Sequence, residues 1–109
     1  MTAGNALGLD MPTAVIAFND RSALGLIESL RAQGLKVPAD VSVLGYDDSM
    51  FARLSYVQLS SISQDAPLLA AAAVDRAVAR IEGTQPPGHV VRTPHLVARR
   101  TTAAPAAGG

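Results

Sequence analysis

Residues 12 to 45 carry the pattern that most limits the fold. Pro12 precedes a β-branched run, Thr13-Ala-Val-Ile-Ala-Phe18, that closes on Asn19-Asp20. Its length and composition are those of a buried strand. Asp20 then stands where a helix cap belongs, before Arg21 to Gln33. Ala23, Ile27 and Leu30, with Leu24 and Leu26 beside them, fall on one broad helical face. Gly34 fits a left-handed stop, Leu35 the apolar contact that follows it, and Pro38 prevents continuation. Asp40 leads into a second apolar run, Val41-Ser-Val-Leu-Gly45. A strand, a helix and a strand within about thirty residues imply parallel strands joined by a right-handed crossover. The fold class expected is therefore α/β, a parallel sheet with flanking helices.

The remainder extends this plan. Ser49 to Tyr56 reads as a loop or single turn, and Leu59-Ser-Ser-Ile-Ser63 as a third short strand. Gln64-Asp65-Ala-Pro67 opens a second helix, with Asp65 as its cap and Pro67 tolerated in the first turn. Ala71, Val74, Val78 and Ile81 form its apolar face, and Gly83 stops it. Pro86-Pro87-Gly88 marks a turn, and His89 to Ala98, broken by Pro94, reads as two short edge strands. Residues 1–11 are expected as an irregular or short helical lead-in and residues 101–109 as a flexible tail.

Composition removes several classes of function. A chain of 109 residues, 49% hydrophobic and 17% charged, suits one domain with one core and argues against disorder. Nine basic residues balance nine acidic ones, so no electrostatic footprint for nucleic acid or an anionic membrane is visible. Arg99-Arg100 is too small a cluster to change that. Without cysteine there is neither a disulfide framework nor a thiolate metal site, as in a reducing compartment. The longest apolar run, Leu68 to Val74, is far short of a membrane span, and no secretory pattern opens the chain. His89 and His95 flank Pro94 with no acid or serine at catalytic spacing, and Asn19-Asp20-Arg21-Ser22 stands where a phosphate loop would follow the first strand. A metal at Asp47-Asp48 would need more carboxylates than one strand end supplies. No catalysis, metal or cofactor is expected.

The chemistry concentrates where strands end. The run Val43-Leu-Gly-Tyr-Asp-Asp48 stops at a glycine and sets down two acids. Ionised carboxylates must stay wet or be hydrogen-bonded, so the pair either marks a solvated turn or delivers an acid to a ligand. In open parallel sheets ligands bind beyond the carboxyl ends of the strands. Asn19, Asp47 and Gln64 stand at three such ends, and together they offer donors and acceptors for a polyhydroxylated or amine-bearing molecule. Each has a structural alternative. Asn19 can be a turn residue, Asp47 can make an internal hydrogen bond, and Gln64 can belong to the helix entry. Asp48 reads as the solvated turn acid and Asp20 as a plain helix cap.

The order FND…ALGLIESLRAQGLKVPADVSVLGYDD…LSSISQD…AAVDRAVARIEG…LVARRTTAAP resembles the C-terminal part of LacI/GalR-family transcription regulators, over residues 12 to 105. The resemblance implies half of a type I periplasmic-binding-protein-like domain, in which two lobes close on a small effector, a sugar by family habit. It places Asn19 and Asp47 on the effector and Gln64 at a crossover between lobes. It also places Leu24, Ile27, Glu28, Arg31, Leu54 and Tyr56 at a homodimer contact, with core packing the alternative for Leu24 and Ile27. The family's DNA-binding helices have no counterpart here, so operator DNA would be a partner only through another domain. Without the other lobe the stripe on the 66–82 helix would be exposed, and the chain is expected to self-associate. Two routes are open: pairing through the 21–33 helix, or exchange of the 66–82 helix between copies. The resemblance implies a cytoplasmic protein; the other reading is part of an extracytoplasmic sugar-uptake binding protein.

Overall fold

The computed structural model describes residues 11–84 and 88–105. Strand β1 (Ala14–Ile16), helix α1 (Asp20–Ala32) and strand β2 (Ser42–Leu44) form the expected unit. They are followed by a single helical turn, α2 (Met50–Arg53), strand β3 (Ser61–Ser63), helix α3 (Ala66–Glu82) and strand β4 (His95–Val97). β1 and β2 pair in parallel with Ala14 opposite Ser42 and Ile16 opposite Leu44. A parallel bridge from Leu44 to Ser60 continues the sheet toward β3, reinforced by Gly45 N–H on Ser60 O and Asp47 N–H on Ile62 O, each 2.9 Å. β4 then pairs antiparallel with β3, His95 opposite Ser63. The strands thus form two two-stranded sheets, β1–β2 parallel where the sequence places it and β3–β4 antiparallel, joined through that bridge.

The core lies between α1 and the β2 side of the sheet. Ala23, Ile27 and Leu30 on α1 meet Val41, Val43, Ala52 and Leu59, all buried. The helical spacing of these α1 residues aligns them on one side, and β2 presents its β-branched residues to them. At the end of α1, Gly34 takes φ +83°, and Leu35 N–H reaches back to Leu30 O at 3.0 Å. Those two features are the glycine stop and apolar follower expected from the sequence. Gly83 ends α3 in the same way, with Thr84 N–H on Ala79 O.

Several expectations need correction. β1 is not a buried strand: it alternates, with Ile16 73% and Phe18 87% exposed, while Val15 and Ala17 lean on the core. An edge strand covered on one face has that pattern. Asp20 does not cap α1. Asn19 does, in extended backbone, its Oδ1 accepting Ser22 N–H at 2.8 Å. Asp65 precedes α3 but its side chain caps nothing, because its left-handed backbone (φ 52°) turns the carboxylate toward His95 Nδ1, 3.6 Å away. Only the half of 89–98 beyond Pro94 becomes a strand, since proline removes the donor that a ladder needs.

The supposed tail begins as an internal element. Thr101 is buried, its carbonyl accepting Val43 N–H and its hydroxyl lying between Val43 O and Ser60 N–H, at 2.7 and 2.9 Å. Ser60 Oγ meets Thr102 Oγ1, and Ser42 Oγ accepts Ala103 N–H. Hydroxyls of Ser42, Ser60, Thr101 and Thr102 thus tie the segment after β4 to β2 and to the residue that leads into β3. Residues 1–10 of the expected lead-in, 86–87 of the expected turn and 106–109 of the tail lie outside the described residues. Helix α3 buries none of its residues, and the molecule measures 62 × 28 × 22 Å.

Candidate functional site

The ends of β1, β2 and β3 converge as the sequence reading requires. Asn19 and Asp47 line one pocket of about 130 Å³ together with Asp20, Arg21, Ser49 and Phe51. Gln64 reaches Asp47 from β3, its Nε2 donating to Asp47 Oδ1 at 3.0 Å. The Asp47 carboxylate stays exposed, with one oxygen turned to an amide and lone pairs left for hydroxyls. Its backbone sits at φ 105°, and Asp48 follows at φ 51°. Positive φ at two consecutive non-glycine residues is strained, and such strain gathers at ligand clamps. Asn19 spends Oδ1 on its cap, so only its amide group is left to face a ligand.

Sequence reasoning missed what lies beneath. Asp20 is 2% exposed; Oδ1 accepts from Ser61 Oγ and Oδ2 from Ser49 N–H, both at 2.6 Å. It therefore ties the start of α1 to β3 and to the loop after β2. Gly45 has to be glycine here for lack of space: a β-carbon would run into Asp20 Oδ1 and come within 2.9 Å of Leu59 Cδ2. The glycine before the paired acids was the visible signal, although it did not say which side chain needed the room.

Asp48 is not a solvated turn acid; its side chain is 8% exposed. Arg99 Nη2 lies 2.7 Å from its Oδ1 and Arg53 Nη2 3.3 Å from its Oδ2. The Arg99 contact is an ion pair without hydrogen-bond alignment, since Oδ1 receives no aligned donor. Arg99 is itself anchored, donating Nη1–H to Leu59 O at 2.8 Å and its backbone N–H to Ser60 Oγ. Arginine suits this place because it stays charged and its planar fork serves two acceptors together. Arg21 stacks on Phe51 at 5.7 Å over the same pocket as Asp47, a cation–π contact. Ser49 Oγ, also in that lining, has no hydrogen-bond partner among the described residues.

A second surface feature gathers most of the expected contact residues. Leu24, Glu28, Arg31 and Tyr56, above Val57 and Ile27, form a groove of about 210 Å³ along α1. Ile27 is its floor and belongs to the core, 5% exposed, which is the alternative placed beside the contact reading. Leu54 ends α2 half-buried and does not line the groove. Tyr56 is 83% exposed, and Glu28 and Arg31 are exposed on α1. Among the described residues no cluster of three or more His, Cys, Asp or Glu could hold a metal ion, and no helix is long and apolar enough to cross a membrane.

A parallel sheet with helices and a polar rim at its strand ends is the architecture of periplasmic-binding-protein-like domains, and the periplasmic binding protein-like domain family matches residues 2–102. The chain belongs to that family, and the relatives and solved structures that it matches over this effector-binding region are LacI-family regulators. It is 39% identical over 95 residues to the lactose operon repressor of Escherichia coli K12, covering 87% of this chain and 26% of that one. A LacI transcriptional regulator from a Rhodococcus species superposes with TM-score 0.83 at 52% identity, over 89% of this chain and 36% of that one. A dimeric Lac repressor with an 11-residue C-terminal deletion gives 0.84 at 38% identity, over 93% and 37%. A LacI family regulator from Arthrobacter sp. FB24, in complex with lactose, gives 0.76 at 32% identity, over 84% and 35%. The chain thus spans about a quarter to a third of the length of these relatives.

Proposed function

We propose that this chain is the effector-sensing and dimerisation portion of a cytoplasmic LacI/GalR-type bacterial transcription regulator, without catalytic activity. Its rim of Asn19, Asp47 and Gln64 takes a sugar-like small molecule. The observation that carries this reading is the exposed Asp47 carboxylate, held at positive φ and bonded to Gln64 from the neighbouring strand. A carboxylate beside an amide matches the paired donors and acceptors of vicinal hydroxyls, and charge-assisted bonds of this kind are the strong ones. The lactose-bound relative supports a sugar as the ligand class.

Affinity for an effector then biases a dimer between states that differ in lobe closure, and operator DNA is engaged by a separate domain. The dimer contact uses Leu24, Glu28 and Arg31 on α1 with Tyr56 and Leu54 on the neighbouring segment, around a floor of Ile27. The relatives are named as repressors and regulators, so the uptake-protein reading is not favoured. Calorimetric titration with mono- and disaccharides, lactose among them, tests the site. Asp47→Ala should weaken the bound sugar by about 10- to 100-fold, the loss of one charge-assisted hydrogen bond. Unchanged affinity would remove Asp47 from the site, and absence of binding to any sugar would remove the ligand class.

A further inference from the structure

We propose that the Asp48–Arg99 ion pair, with Arg53 as its outer partner, is a positioning device that holds Asp47 in its strained, ligand-facing conformation. This rests on the reading of Asp47 as an effector contact but concerns residues to which that reading gives no role. Three observations carry it. First, Asp47 and Asp48 both stand at positive φ, a pair of costs that a free turn would relax. Second, apart from the exposed Gln64 bond, the clamps that oppose relaxation fall on the Asp48 side or on the strand beneath. Asp48 N–H donates to Ser61 Oγ at 2.9 Å, its carbonyl accepts from Arg53 Nη2 at 3.1 Å, and its carboxylate is flanked by two guanidinium groups. Third, Arg99 cannot follow Asp48 outward, because Leu59 O and Ser60 Oγ fix it to the segment entering β3 and its side chain is only 15% exposed.

The geometry makes the chain of action explicit. Asp47 N–H is bonded to Ile62 O, while the Asp47 side chain has one hydrogen bond among the described residues, from Gln64 Nε2. Beyond that one exposed bond, nothing on the Asp47 side chain fixes the direction of its carboxylate. That direction is set by the φ of Asp47 and by where the next residue is pinned. Asp48 is pinned by charge, and a buried carboxylate that lost its cation would swing toward water, carrying Asp47 with it. Arg99 arrives from a segment far along the chain, so the last strand and its sequel set the aim of a side chain at the rim.

Amide hydrogen exchange on the chain tests this without any ligand. In Arg99→Met the Asp47 and Asp48 amides should exchange roughly tenfold faster or more, as in a local opening, while Ala17 and Ser42 in the β1–β2 ladder stay within about twofold. Arg99→Lys, which keeps the charge, should restore most of the protection. Asp48→Asn keeps the shape, should reproduce the loss at Asp47, and carries the test if Arg99→Met fails to fold. A uniform rise across all four amides would mean a merely structural ion pair and would overturn the proposal, as would unchanged exchange at Asp47. Because no sugar enters this measurement, failure to bind sugars leaves it standing and counts only against the effector reading.

Discussion

At Gly45 the backbone of β2 passes so close to Asp20 that a side chain has nowhere to go. The glycine is needed for space, and the crowding has a purpose: it lets one carboxylate serve Ser49 N–H and Ser61 Oγ together. Gly45→Ala should lower stability by about 2–4 kcal/mol, combining overpacking with a displaced buried acid, as measured by urea unfolding. The same scale shows how far the sequence could be read. Asn19, Asp47 and Gln64 were legible because strand ends and polar residues coincide there. The fates of Asp20 and Asp48 were not. Local pattern says that an acid follows a strand; it does not say that Ser61 or Arg99, distant in sequence, will arrive to bury it. The Asn19–Asp20 exchange of roles has a similar cause, since either residue type makes a good cap and the choice was made by Ser61.

Among the elements, the β1–α1–β2 unit was readable almost throughout, because strand length, helical period and glycine stop all agree there. The later elements were less so. Of the two short strands expected on either side of Pro94 only the second formed, and Thr101 turned a predicted tail into a seam between β2 and the start of β3. Hydroxyl-rich sequence carries no period, so its docking is invisible until the strands that receive it are in place. Helix α3 shows the reverse case, in which sequence alone foresaw an unburied stripe. Val74, Val78 and Ile81 are 61%, 46% and 86% exposed and lie away from the 88–90 segment that Arg76 holds through Gly88 O at 2.7 Å. Val78→Glu should change stability by no more than about 0.5 kcal/mol, as an exposed substitution does. It should also lower dye binding and turbidity by thinning the apolar patch. A loss of several kcal/mol in thermal unfolding would show that the stripe is buried after all.

For the molecule as a whole, the combination of an open α1 groove and a bare α3 stripe argues for association. Sedimentation at micromolar concentration should show a species larger than a monomer. Leu24→Glu, which places a charge in the groove beside Glu28, should return it to monomer if α1 is the contact. Persistence of the dimer in that variant would transfer the interface elsewhere, with exchange of α3 as the remaining route. A compact, stable wild-type monomer would defeat both.

The seam at Thr101 also bears on the order of events in biosynthesis. β2 and β3 emerge from the ribosome well before the residue whose hydroxyl joins Val43 to Ser60. Until it appears, Val43 O and Ser60 N–H lack the hydroxyl that joins them, and Asp48 has no Arg99 to meet. Productive folding of this rim therefore waits until residues 99 to 101 have been made, and a nascent chain stalled before them would display the acids without their cation.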